Sequence, residues 1–116
     1  MFTANLAVTI TTIVANTFAA ATDFSRPKWV LANMSEVHVA QPWLPLLGAL
    51  KAAGAVGLVI GLLGVRPLGT AAASGLVLFF TGALVTHVRA RVFYNIHFPG
   101  TYFALAAASL VLAMAQ

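Results

Sequence analysis

The chain has 116 residues, 61% of them hydrophobic and 7% charged, with a mean hydropathy of +0.98 and a formal net charge of +4. An ordinary soluble domain carries roughly a quarter charged residues, so a soluble globular protein and a charge-rich disordered chain are both excluded. Cysteine is absent, which excludes thiol relays, disulfides, Cys-ligated zinc and iron–sulfur chemistry within the chain.

Lipid is the solvent this composition suits. A bilayer-crossing helix needs about 20 mainly apolar residues. The apolar runs 2–22, 42–63, 68–88 and 98–115 meet that length. Backbone polar groups find no water in hydrocarbon, so each run is read as a helix. The predicted fold is therefore all-α: one domain, an integral membrane bundle of four helices in up-down order. No Lys or Arg precedes the first run, so it reads as a span rather than a signal peptide.

In the first span Asn5, Thr9, Thr12, Asn16 and Asp23 fall on one stripe of a 3.6-residue helix. Amides and carboxylates are costly against lipid tails, which turns the stripe toward the bundle interior. It either lines a site or holds helices together by hydrogen bonds. The connection 23–41 is the long one, mixing Arg26, Lys28, Trp29, Glu36 and His38 with Val30, Leu31, Met34 and Val37. Ser25 and Pro27 suit the cap of a short interfacial helix, whereas the alternation Glu36-Val37-His38-Val39 suits an extended strand.

The second span carries Gly54, Gly57 and Gly61, and the third carries Gly75 and Gly82, small-residue faces for close helix approach. A tight turn at residues 64–67 makes the two antiparallel neighbours. Lys51 lies nine residues past Pro42, roughly 13 Å into a hydrocarbon core of about 30 Å, and is either functional or snorkelling. At the end of the third span Thr86 and Arg89 share the Gly75/Gly82 face, while His87 and Arg91 share nearly the opposite one. Arg89 is thus the first choice for an interior cation and His87 the second; the alternative is a basic girdle at lipid phosphates. In the fourth span Asn95, Tyr102 and Ser109 share a stripe, although Pro99 places Asn95 in the preceding loop.

Depth and topology bring Asp23, Lys51, Arg89 and Asn95 to the half of the bundle nearest the long loop. A polar funnel is expected there, suited to a lipophilic body with a carbonyl, phenolate or carboxylate head. Its catalytic candidates are Lys51 to stabilise a developing enolate or phenolate, Arg89 to fix the anionic end, and Asp23, Glu36 or His87 to move the proton. Asn16, Thr12, Thr86, Asn95 and Tyr102 are the ligand-binding candidates. No residue spacing suits a metal, and no nucleotide-binding motif is present. The cations sit at helix ends, favouring lipid over nucleic acid. Arg26, Lys28, Arg89 and Arg91 lie on the long-loop side and Arg66 on the other, so the positive-inside rule puts the long loop in the cytoplasm and both termini outside.

The stretch Leu47-Gly48-Ala49-Leu50-Lys51-Ala52-Ala53-Gly54-Ala55-Val56-Gly57-Leu58, then Pro67-Leu68-Gly69, Gly75 to Leu78, and Gly82-Ala83 leading to Thr86-His87-Val88-Arg89, resembles the DoxX-like membrane proteins. The resemblance covers about a third of the chain by this count. It implies a four-helix membrane bundle, with Lys51 and the His87/Arg89 pair as site positions. Relatives in that broad group serve as small subunits of quinone-reducing sulfur oxidoreductases and in thiol-stress complexes; a chain without cysteine departs from any thiol-using member. Two functions follow as expectations. One is binding of a lipophilic molecule with proton-transfer chemistry such as isomerisation or cyclisation. The other is a non-catalytic subunit, as a homo-oligomer or beside a partner oxidoreductase, with quinone as the implied cofactor.

Overall fold

A computed structural model describes residues 2–115. It contains α1 (Phe2–Ser25), α2 (Lys28–Glu36), a 3-10 turn (Gln41–Trp43) running into α3 (Leu44–Leu62), α4 (Arg66–Arg89) and α5 (His97–Met114). Helices α1, α3, α4 and α5 are each long and apolar enough to cross a membrane. Their limits follow from local chemistry. Proline occupies the first turn of the 3-10 segment, of α3 and of α4, where its missing N–H would be unpaired anyway. Four helices stop on a residue with positive φ: Arg26 after α1, His38 after α2, Gly64 after α3 and Arg91 after α4. After the last three the next N–H reaches back five residues to close the last turn: Val39 to Met34 O at 2.9 Å, Val65 to Ile60 O at 3.2 Å and Val92 to His87 O at 2.9 Å.

The four long helices form an up-down bundle in which α1 packs on α3 and α5, and α4 packs on the same two, so α1 and α4 occupy opposite corners. The long axis measures 40 Å, about the thickness of a bilayer with its headgroups. Both the start of α1 and the end of α5 lie at the end of the bundle marked by the Gly64 turn, here the turn end; α2 and the α4–α5 connection mark the loop end. The central apolar cluster is Leu58, Ala73, Leu76, Phe80 and Ala106, with Ile13, Tyr102 and Phe103 packed around it.

Glycine works differently on the two middle helices. On α3, a Cβ added at Gly54 would come within 2.6 Å of the Leu76 side chain, at Gly57 within 2.6 Å of Ala72 Cβ, and at Gly61 within 2.5 Å of Gly69 Cα. This is the close-approach seam that the spacing predicts. On α4 the expectation fails: nothing lies within 4 Å of a Cβ at Gly75 or Gly82, and both glycines are exposed. The face of α4 that turns inward is Gly69, Ala73, Leu76, Phe80 and His87, small toward the turn end and bulky toward the loop end.

The long connection is helical over Lys28–Glu36, and the alternation that follows forms a turn rather than a strand. Val30 and Met34 of α2 pack on Leu44 at the start of α3, with Leu31, Val39 and Leu47 beside them. Ser25 does not cap this helix; its hydroxyl donates back to Ala21 O at 2.7 Å, and Pro27 holds the N-cap position without a side-chain bond.

Candidate functional site

The polar stripe of α1 faces inward along its length. Thr9, Thr12, Asn16 and Asp23 are buried and Asn5 is half-buried. Thr9 donates to Asn5 Oδ1 within α1 at 3.4 Å, whereas the middle of the stripe holds helices together. Thr12 Oγ1 and Ser109 Oγ of α5 lie 2.8 Å apart, and Thr12 Oγ1 is also 2.8 Å from Val8 O in its own helix. The Tyr102 hydroxyl donates to Ala15 O at 3.1 Å, fastening α5 to α1 one turn further along. Its ring stacks on Phe80 with centroids 5.2 Å apart. Asn16 is fully buried; its Nδ2 donates to Thr12 O at 3.0 Å, which fixes the amide orientation and leaves Oδ1 without a partner.

Toward the loop end the stripe ends in an ion pair. Lys51 Nζ of α3 donates to Asp23 Oδ2 of α1 at 2.8 Å, the two side chains being 15% and 7% exposed. Burial leaves each charge dependent on the other, because hydrocarbon offers neither a substitute. The ammonium also sits 5.5 Å from the Phe79 ring centre of α4, so three helices hold it. The Lys51 stem runs from mid-helix toward the loop end to reach Asp23, combining a snorkelling reach with an interior partner. Gly48 makes room: a Cβ there would lie 3.1 Å from Asp23 Cβ and 3.2 Å from the Phe24 ring.

His87 is buried on the inward face of α4. Its Nδ1 lies 3.0 Å from Ala83 O and donates to it, so in the neutral imidazole Nε2 is a bare acceptor, and it has no partner. Asn95 lies in the α4–α5 connection, as Pro99 implies, and is buried with Oδ1 unpartnered.

Arg89 requires a correction. It shares the face of Gly75 and Gly82, but that face points outward, and Arg89 is exposed at the end of α4. Thr86, also expected inside, is half-buried and donates to Ala83 O at 2.7 Å. Glu36 does not reach the interior either. It ends α2 in an exposed position and accepts the Tyr94 hydroxyl at 2.6 and 2.8 Å, tying α2 to the α4–α5 connection. That hydrogen bond to a carboxylate raises the Tyr94 pKa above its ordinary value. Thr86 and Arg89 differ because the inward face of α4 is the one with Leu76, Phe80 and His87, and Glu36 differs because α2 packs on the start of α3.

The rim of the loop end carries exposed Phe24, Trp29, Trp43, Phe93, Tyr94 and Phe98 together with Arg26, Lys28, Arg89 and Arg91, an aromatic and basic belt at one membrane surface. A cavity with polar groups in its wall lies at the turn end. Phe79 and Ser109 were not among the predicted site residues. Phe79 carries no signal that separates it from filler, whereas Ser109 shares the Tyr102 stripe. Among the described residues no group of three His, Asp or Glu side chains is arranged to hold a metal.

Residues 7–109 match the DoxX-like family. The chain belongs to the DoxX-like family. This DoxX-like chain is an integral membrane protein whose four spans lie in contact with the bilayer. No curated protein and no solved structure matches it.

Proposed function

We propose that the loop-end half of this DoxX-like bundle binds a lipophilic molecule and moves a proton on it. The observation that carries the reading is the Lys51–Asp23 pair, a charged donor and a carboxylate held 2.8 Å apart inside the membrane-spanning part of the chain. A ligand head entering beside the pair meets an ammonium that stabilises a developing enolate or phenolate, and a base in Asp23. His87 Nε2, a buried acceptor at the same end, is a second place for the proton. Removal of a proton from one carbon and its return to another is an isomerisation; return after ring closure is a cyclisation. Neither needs an electron carrier, consistent with a chain that contains no cysteine. By the positive-inside rule, the excess of basic residues at this end favours a cytoplasmic side for it.

The test is mass spectrometry of the protein released from native membranes. A co-purifying lipophile is expected with the unaltered chain, lost in Lys51→Met and partly kept in Lys51→Arg. Equal recovery with a folded Lys51→Met variant would remove the reading. A borohydride-trapped imine at Lys51 would replace polarisation with covalent catalysis. The second reading, a subunit joining a partner oxidoreductase to the quinone pool, is favoured by the mutual satisfaction of Lys51 and Asp23, which also suits a purely structural pair. Co-purification of a redox enzyme that dissociates on removal of α2 would support it.

A further inference from the structure

The cavity at the turn end has a volume of about 240 Å³ and is walled by Asn5 and Thr9 of α1, Thr70 of α4 and Ser109 of α5, with Gly61 and Gly69 on one side. Its origin is visible in the packing. Gly61 and Gly69 meet backbone to backbone, so these two positions send no side chain into the space beside them. The space they leave is edged by hydroxyls, an amide and Arg66 at its mouth as well as by the hydrocarbon of Leu58, Leu62 and Ala113. One water needs only roughly 10–15 Å³ of such volume and two to four polar partners, whereas apolar cavities of similar size stay dry.

At its inner end stands Ser109, buried and 2.8 Å from Thr12 Oγ1. One turn beyond Thr12 is Asn16, whose free atom is an acceptor because Nδ2 is committed to Thr12 O. What Asn16 lacks is a donor, and a water O–H supplies one.

We propose that the turn-end cavity is a water-filled vestibule that admits water and protons from the turn side, and that a water beyond the Thr12–Ser109 pair completes Asn16. The vestibule is separate from the loop-end site and stands whether or not that site binds a ligand. It gives the buried polar stripe of α1 an exchange route with the aqueous phase opposite to the belt of aromatic and basic residues.

Because the chain has no cysteine, single cysteines report on it without background. The variants Thr9→Cys, Thr70→Cys, Ser109→Cys and Asn16→Cys would be placed in sealed proteoliposomes and treated from each side with a membrane-impermeant methanethiosulfonate. Val14→Cys, which faces outward, is the lipid control, and Ser25→Cys is the loop-end control. Only a thiolate reacts, and a thiolate forms only where its proton can leave to water, so Thr9→Cys and Thr70→Cys are expected to react from the turn side at least about tenfold faster than Val14→Cys. Their rates should follow the turn-side pH and ignore the loop-side pH, with Ser109→Cys slower and Asn16→Cys slowest.

Thr9 and Thr70 cysteines as inert as that at Val14 would show a dry cavity and overturn the proposal. Rates that track the loop-side pH would overturn it equally, by placing the opening at the other end. Protection of Asn16→Cys beside a reactive Thr9→Cys would remove the water at Asn16. Thr70 sits at the half-buried rim, so its variant keeps the test decisive if the buried Ser109 position does not tolerate cysteine.

Discussion

At the loop end, Asp23, Lys51 and Phe79 reach across the bundle with side chains long enough to meet, and the charge that results is closed off by its own partner. At the turn end, Gly61 and Gly69 meet through their backbones, and a cavity lies beside them. The same four helices therefore carry polar groups to a tight pair at one end and to an open cavity at the other. Side-chain reach at the level of contact decides which. In a bilayer, helix association gains little from hydrophobicity and depends on fit and hydrogen bonding, so a glycine contact and an ion pair are alternative ways to hold two helices, with different consequences for water.

The largest effect expected from breaking this contrast is at Gly61. A side chain there meets Gly69 Cα at 2.5 Å, backbone that cannot swing aside, so Gly61→Leu is expected to abolish the native bundle in detergent unfolding assays. Gly75→Ala is the matched control on the outward face of α4; it meets nothing and should be neutral or stabilising by up to about 1 kcal/mol through helix propensity. If both variants behave alike, the assignment of inward and outward faces is wrong.

Next in size is the ion pair. Lys51→Met leaves a buried carboxylate alone and should cost roughly 3 kcal/mol, with Asp23→Asn costing a similar amount. The double variant should cost clearly less than their sum, because the second change removes a charge already stranded. Additive losses in the same denaturation series would mean that the two charges are held separately.

A smaller loss is expected where the ends of the bundle are joined. Thr12→Val and Ser109→Ala each remove one side of a 2.8 Å hydroxyl contact and should cost about 1 kcal/mol in unfolding measurements, in line with other interhelical hydrogen bonds in membranes.

How much of this was legible depends on what kind of signal marks a face. The inward stripe of α1 could be read because Asn5, Thr9, Thr12, Asn16 and Asp23 are all costly in lipid, leaving one direction for them to point. The four spans and their all-helical character follow from hydrocarbon alone. Helix α4 offered two faces of nearly equal hydropathy, one with Gly75 and Gly82 and one with Leu76, Phe80 and His87, and hydropathy does not choose between them when lipid is outside. Company with the glycines points Arg89 inward, but the face they share turns outward and carries Arg89 with it. The pattern Gly69, Ala73, Leu76, Phe80, Ala83, His87, alternating steps of four and three, was the usable sign. The cavity could not be read at all, since it is made by two residues lacking side chains that the turn at Gly64 brings to one level.

The smallest effect tests the outer edge of the loop end, where α2 is fastened by Tyr94 and Glu36. The Tyr94 hydroxyl donates to a carboxylate, and that bond must be given up when the phenol ionises, so its pKa lies above the ordinary 10.0. A pKa raised on folding gives a contribution that is complete below the ordinary value and fades as the pH climbs through the raised one. The contact should therefore hold α2 in place across neutral and mildly alkaline conditions and release it only in strong alkali. Tyr102→Phe leaves Tyr94 as the one phenol, since the chain has two tyrosines, so absorbance at the phenolate band reads it directly. A midpoint above 10.0 is expected, returning toward 10.0 in Glu36→Gln, which keeps an acceptor but removes the charge. A midpoint unmoved by Glu36→Gln would mean that the carboxylate does not hold the tyrosine. The link between α2 and the α4–α5 connection would then have to come from apolar packing, and nothing in the packing of Val30 and Met34 on Leu44 extends to Tyr94.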